Sequence, residues 1–158
     1  YDADTAHAKA LLKDLKKYYP DYAGQGYEVA GFAYWQGHKD QNAAHAGRYE
    51  QNLVALIKSL RKDFDAPQAK FVVATGCGNP GREGFGLTIA EAQLAVGDPK
   101  KHPEFAGTVK SVDTRDLWRE ADVSPTNQGY HYNHNAETYM EVGLRLGWAM
   151  AELLGRAK

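Results

Sequence analysis

Four segments with helical spacing alternate along the chain with three short apolar or aromatic runs, and this alternation limits the fold more than any other feature. From Thr5 to Tyr19, residues Ala8, Leu11, Leu12, Leu15, Tyr18 and Tyr19 recur at helical intervals until Pro20 and Asp21 stop the pattern. The run YEVAGFAYW, 27–35, carries one charge near its start, as expected for an interior strand covered on both faces. The next segment, 48–64, places Tyr49, Leu53, Ile57, Leu60 and Phe64 on one face and turns Arg48, Glu50, Lys58 and Lys62 elsewhere, which predicts an amphipathic helix. KFVVAT, 70–75, predicts a second strand, and LTIAEAQLAV, 87–96, a helix ended by Gly97, Asp98 and Pro99. GTVKSVDT, 107–114, predicts the third strand. After an irregular polar and aromatic stretch, Asn135 is placed to cap a last helix whose apolar face holds Tyr139, Val142, Leu146, Met150 and Leu153. Gly143 and Gly147 lie one turn apart in it, as expected where a helix comes close to a sheet.

This order implies an α/β fold with parallel strands joined by right-handed crossovers. A leading helix usually returns from a preceding strand, and three strands cover four helices poorly, so further strands upstream of Tyr1 are expected. A chain of 158 residues that is 43% hydrophobic suits one domain, burying roughly 70% of its extended surface. The formal charge of −1, with no basic run, disfavours a nucleic-acid partner. No apolar run approaches the length of about 20 residues that spans a bilayer, so no membrane partner is expected, and the chain opens on no signal-peptide pattern. Cys77 is the only cysteine, which excludes an internal disulfide and a cysteine-rich zinc site; its expected role is a small residue in a glycine loop.

In open α/β sheets, ligands bind beyond the carboxyl ends of the strands. Three loops would emerge there: QGHKDQN after the first strand, GCGNPGREGFG after the second, and the stretch 115–135 after the third. Gln36, Gly37, His38, Lys39 and Asp40 therefore stand directly at the expected pocket. From the third loop come His131 and His134. With His38 these could surround a zinc ion, but no carboxylate or further histidine stands at ligand spacing, so no metal and no cofactor is expected. Trp35, Tyr130, Tyr132 and Trp118 could offer aromatic faces to a sugar ring. Trp118 is the better platform, while Trp35 and Trp148 suit core packing.

The segments YWQGHKDQ and NQGYHYNHNAETY, with the α/β pattern between them, resemble the sialate O-acetylesterase type of carbohydrate esterase, a branch of the SGNH hydrolases. The resemblance implies a three-layer α/β/α, flavodoxin-like fold and removal of acetyl groups from carbohydrates by a serine nucleophile near the amino end. By it, His131 is the catalytic base and Gln36 with Gly37 line the oxyanion site. His38, Lys39, Gln128, Trp118 and Tyr130 fall around the substrate, and Asp40 is the nearest acid to orient the base, with Asp113 and Asp116 behind it. The family commonly has Asp three residues before the histidine, where this chain has Gln128. No counterpart of the serine segment is present: Ser59, Ser111 and Ser124 stand in a predicted helix, a predicted strand and the long loop. Residues 1–158 thus read as the carboxyl-terminal portion of such a domain, with the nucleophile upstream and an acetylated carbohydrate as partner. The alternative is a non-catalytic carbohydrate-binding or interaction module on the same fold. Related esterases are often exported, which makes an exported or periplasmic location the expectation.

Overall fold

The structure is a computed structural model that describes residues 1–76 and 78–156. Cys77, expected in the glycine loop, lies outside the described residues. The elements run α1 (Asp2–Lys13), α2 (Leu15–Tyr18), β1 (Gly31–Tyr34), α3 (Tyr49–Asp63), β2 (Lys70–Ala74), α4 (Gly84–Val96), β3 (Val109–Val112) and α5 (Ala136–Leu153). The strands form a parallel sheet in the order β1-β2-β3. The α/β class and its parallel sheet are as the element order implies.

The sheet's layers follow from the period of two along β2. Phe71 and Val73 point to one side, where they pack with Tyr49, Leu53 and Ile57 of α3 and Ile89 and Val96 of α4. Val72 and Ala74 point to the other, against Val142, Leu146 and Ala149 of α5. All four β2 residues are fully buried. Each large apolar side chain so covered stabilises the fold by about 1.5–3 kcal/mol relative to exposure, and together they fix α3 and α4 in front and α5 behind.

Several expectations are corrected. Strand β1 is shorter than the run 27–35 and is an edge strand, paired only with β2. Its residues are half-buried or exposed rather than covered on both faces, and Tyr27 is 57% exposed. The first helix breaks at Asp14, and Tyr18 and Tyr19 face solvent. Helix α4 begins at Gly84, three residues earlier than its apolar run suggests. Trp148, expected in the core, is 66% exposed.

Gly143 and Gly147 make no close approach, since a Cβ on either would meet nothing within 4 Å. The tight contacts fall elsewhere. A Cβ at Gly31 would come within 2.7 Å of the Met150 Cε and 2.8 Å of the Lys70 carbonyl, and one at Gly97 would overlap the Ser111 backbone amide. Gly97 thus lets the end of α4 lie directly on β3. Gly97→Ala should destabilise the protein by about 1–3 kcal/mol, because backbone rather than a flexible side chain must yield; the shift of the urea midpoint measures it, and an unchanged midpoint would contradict this contact.

Candidate active site

Because the strands are parallel and in step, with Tyr34 opposite Val73 and Ala74 opposite Val112, the loops after them open at one rim. A cavity of about 280 Å³ lies there. Its walls are Trp35 to Lys39 from the first loop, Gly78 from the second, and His131, Tyr132 and Tyr139 from the third loop and α5. Gln36, Gly37, His38, Lys39 and His131 therefore meet, although nearly the whole fold separates them in sequence.

The Gln36–Gly37 turn is held from beneath. The Gln36 carbonyl accepts hydrogen bonds from the Tyr49 hydroxyl at 2.5 Å and the Gln93 amide at 2.7 Å. Gln93 is fully buried in α4, and its side chain also donates to the Tyr49 hydroxyl at 3.1 Å. The Gln36 side chain accepts from the Tyr34 hydroxyl and donates to Asp40 at 2.9 Å. Asp40 therefore orients an amide. It does not line the cavity, and among the described residues no carboxylate hydrogen-bonds the His131 ring. Asp113 and Asp116 are also engaged elsewhere. Arg115, with the Thr75 hydroxyl, holds the Asp113 carboxyl down to about 2, and Asp116 pairs with Arg145.

His131 opens a turn in which four consecutive non-glycine residues, His131 to His134, have φ between 46° and 59°. Each left-handed residue costs roughly 1–2 kcal/mol, and such strain persists only where the surroundings over-determine it. Here they do. The buried Asn133 side chain accepts from the Gly129 amide at 2.9 Å and donates to the Arg119 carbonyl, while the Asn133 carbonyl accepts from the Thr126 amide. The Tyr132 amide donates to the Gly78 carbonyl, and the Tyr139 hydroxyl to that of His131. Asn135 caps α5 as expected, accepting from the Thr138 amide at 3.3 Å.

The His38 and His131 rings lie 5.7 Å apart, and Tyr130 stacks on His38 at 6.0 Å. Gly78, at φ +100°, fits between the two imidazoles: a Cβ there would lie 3.5 Å from the His38 Nδ1 and 3.7 Å from the His131 Cδ2. That Nδ1 is buried without a hydrogen-bond partner. His134 is not among the residues lining the cavity, and no group of three or more His, Cys, Asp or Glu among the described residues is placed to hold a metal.

Three further sequence candidates are not among the residues lining the cavity: Trp118, Gln128 and Tyr130, the last 45% exposed and stacked on His38. Trp118 packs behind the cavity against Tyr132, with its indole nitrogen buried, so it offers no free platform. Gln128 donates to the Tyr130 carbonyl at 2.8 Å and shapes the loop. Sequence reasoning missed Gly78 and Tyr139 and took Tyr132 for a surface ring. The glycine-rich composition of the second loop was the available signal for Gly78; Tyr139 was visible only as part of a helical face.

The family described as carbohydrate esterase, sialic acid-specific acetylesterase matches residues 7–152. The chain belongs to this family. The family is one of carbohydrate esterases. Among solved structures, a protein from Arabidopsis thaliana, determined at 1.6 Å, is similar in fold with a TM-score of 0.63 and 22% identity. The match covers 92% of this chain and 52% of that one, so the chain spans about half the length of the structure it resembles. A search of curated proteins returns no match.

Burial, then the neighbouring His131 and Lys39, pushes the His38 imidazole below its ordinary value of 6.5. His38 should therefore titrate below 6.5 when its ring protons are followed by NMR against pH. Protonating it at acid pH costs stability, because the unfolded chain binds that proton more readily. A midpoint at or above 6.5 would show that the ring is not shielded.

Proposed function

We propose that the chain is the carboxyl-terminal portion of a serine-type carbohydrate O-acetylesterase. In this reading His131 is the general base and the Gly37 N–H with the Gln36 amide stabilise the oxyanion. The single observation that carries it is the shared cavity, where Gln36, Gly37 and His131 meet as the family resemblance requires. A serine hydroxyl attacks an ester only as an imidazole takes its proton, and the charge that grows on the carbonyl oxygen needs donors already in place. Removing one such donor costs about 2.7–4 kcal/mol of transition-state stabilisation.

The nucleophile would come from a segment upstream of Tyr1. Ser59 lies in α3, Ser111 in β3 bonded to the Gln93 carbonyl, and Ser124 is bonded to Asn135 and Arg119; none lines the cavity. The unpaired side of β1 favours this reading, since a further parallel strand added there would end beside Gln36. The substrate would be an acetylated carbohydrate, with Lys39 and Tyr130 at the rim.

The 158-residue chain should not hydrolyse an aryl acetate measurably, whereas the chain extended by its own upstream coding sequence should. In the extended chain His131→Ala should lower kcat/KM at least a thousandfold, the scale expected when the base of a triad is lost. Equal rates from the short and extended chains would refute the upstream nucleophile, and full activity in His131→Ala would refute the base.

A second reading is favoured by one observation: among the described residues the His131 ring lacks the carboxylate that a triad base needs. The chain would then be a carbohydrate-binding or interaction module. Calorimetric titration with acetylated and deacetylated sugars separates the two, because binding of both without turnover by the extended chain supports the module and excludes the esterase.

A further inference from the structure

The Tyr132 side chain is almost wholly buried, at 3% exposure, yet its hydroxyl joins all three site loops. It donates to the Gly76 carbonyl at 2.5 Å and accepts from the Trp35 indole nitrogen at 3.0 Å. Trp35 directly precedes Gln36, and Tyr132 directly follows His131. One oxygen is thus a single residue away from the proposed oxyanion turn on one side and from the proposed base on the other. Through Gly76 it also reaches the segment carrying Gly78, which lies beside both imidazoles and whose carbonyl accepts from the Tyr132 amide. The ring is fixed as well, packed against Trp35, Trp118 and Tyr139 with centroids 5.1, 6.0 and 5.3 Å away.

We propose that Tyr132 is a positioning residue for the reaction, its hydroxyl setting the distance between the His131 imidazole and the Gln36–Gly37 turn. The proposal rests on the esterase reading for its effect on rate, but not for its effect on geometry. A left-handed turn of ordinary residues has an accessible alternative, the right-handed one, in which the ring of His131 would leave the rim. Tyr132 opposes that change through its backbone amide, its ring and its hydroxyl at once. The hydroxyl ties the turn by a hydrogen bond to Trp35, which directly follows β1. Without it, ring packing would keep the fold, but the two halves of the site would be free to drift. Loss of about 1 Å in such an alignment is enough to cost a hundredfold in rate.

Tyr132→Phe removes the oxygen and little else. In the 158-residue chain it should leave the circular dichroism spectrum unchanged while shifting the ring resonances of His131 and the side-chain amide resonances of Gln36. In the extended chain it should lower kcat at least tenfold with KM within twofold. Gly97→Ala serves as the control for stability alone, because it lies outside the site, and it should move neither readout. Trp35→Phe, which deletes the indole bond to the same hydroxyl, should give a smaller change of the same kind; it also stands in for Tyr132→Phe should that variant fail to fold. Unaltered His131 and Gln36 resonances in both variants would overturn the proposal, as would a loss of kcat that Gly97→Ala reproduces. If the extended chain hydrolyses no ester at all, the esterase reading falls, and the resonances of the short chain still decide the role of Tyr132.

Discussion

The level endings of three parallel strands are the constraint on which the rest depends. Parallel pairing fixes direction, and the register fixes depth, so Tyr34, Ala74 and Val112 deliver their following loops to one rim. Antiparallel pairing of any one strand would send its loop to the opposite end and leave the site without a wall. The long stretch after β3 then closes the rim because α5 must start there: its buried face, Val142, Leu146 and Ala149, packs on the back of β2. The capped start of α5 at Asn135 consequently lies just past the His131 turn. Packing on the far face thereby sets where the imidazole stands.

Buried polar groups turn that coarse convergence into a defined geometry. Gln93 occupies a position in α4 where an apolar residue would pack better, and its amide instead supports the Gln36 carbonyl. Asn133 plays the same part for the left-handed turn. A buried polar side chain without partners costs a few kcal/mol, so each of these residues fits only the arrangement that satisfies it. The strain at residues 131–134 is held by the Asn133 bonds and falls in the loop beside the cavity.

Sequence pattern made the central layers legible because burial there is periodic. The Tyr49, Leu53, Ile57 stripe and the apolar run of β2 report directly on a sheet covered by helices. Edges are another matter. The aromatic run before Gln36 looks the same whether a strand is flanked on both sides or, as β1 is, on one. Gly143 and Gly147 resemble a close-packing stripe, yet the contacts that demand glycine fall at Gly31 and Gly97, which only the crossing of α5 over β1 and of α4 over β3 decides. Within the site, residue types were readable and pairings were not. Asp40 is the acid of the Gln36–Gly37 loop, but its partner is the Gln36 amide, and nothing in the letters His-Tyr-Asn-His announces four left-handed residues in succession.

Those pairings also bear on which ligands the rim suits. Asp40 is hydrogen-bonded to the Gln36 amide, Asp113 is paired with Arg115 and Asp116 with Arg145, and none of the three acids lines the cavity. The lining holds the Gln36–Gly37 turn, the His38 and His131 imidazoles, the aromatic side chains of Trp35, Tyr132 and Tyr139, and Lys39. Such a wall desolvates a neutral polar group cheaply and offers it donors, whereas a strongly charged group would lose its hydration for little return. A neutral ester on a sugar meets these conditions. In the proposed esterase reading the wall favours the moment when charge develops on the ester oxygen, because the Gln36–Gly37 turn is already held by Tyr49 and Gln93 beneath it.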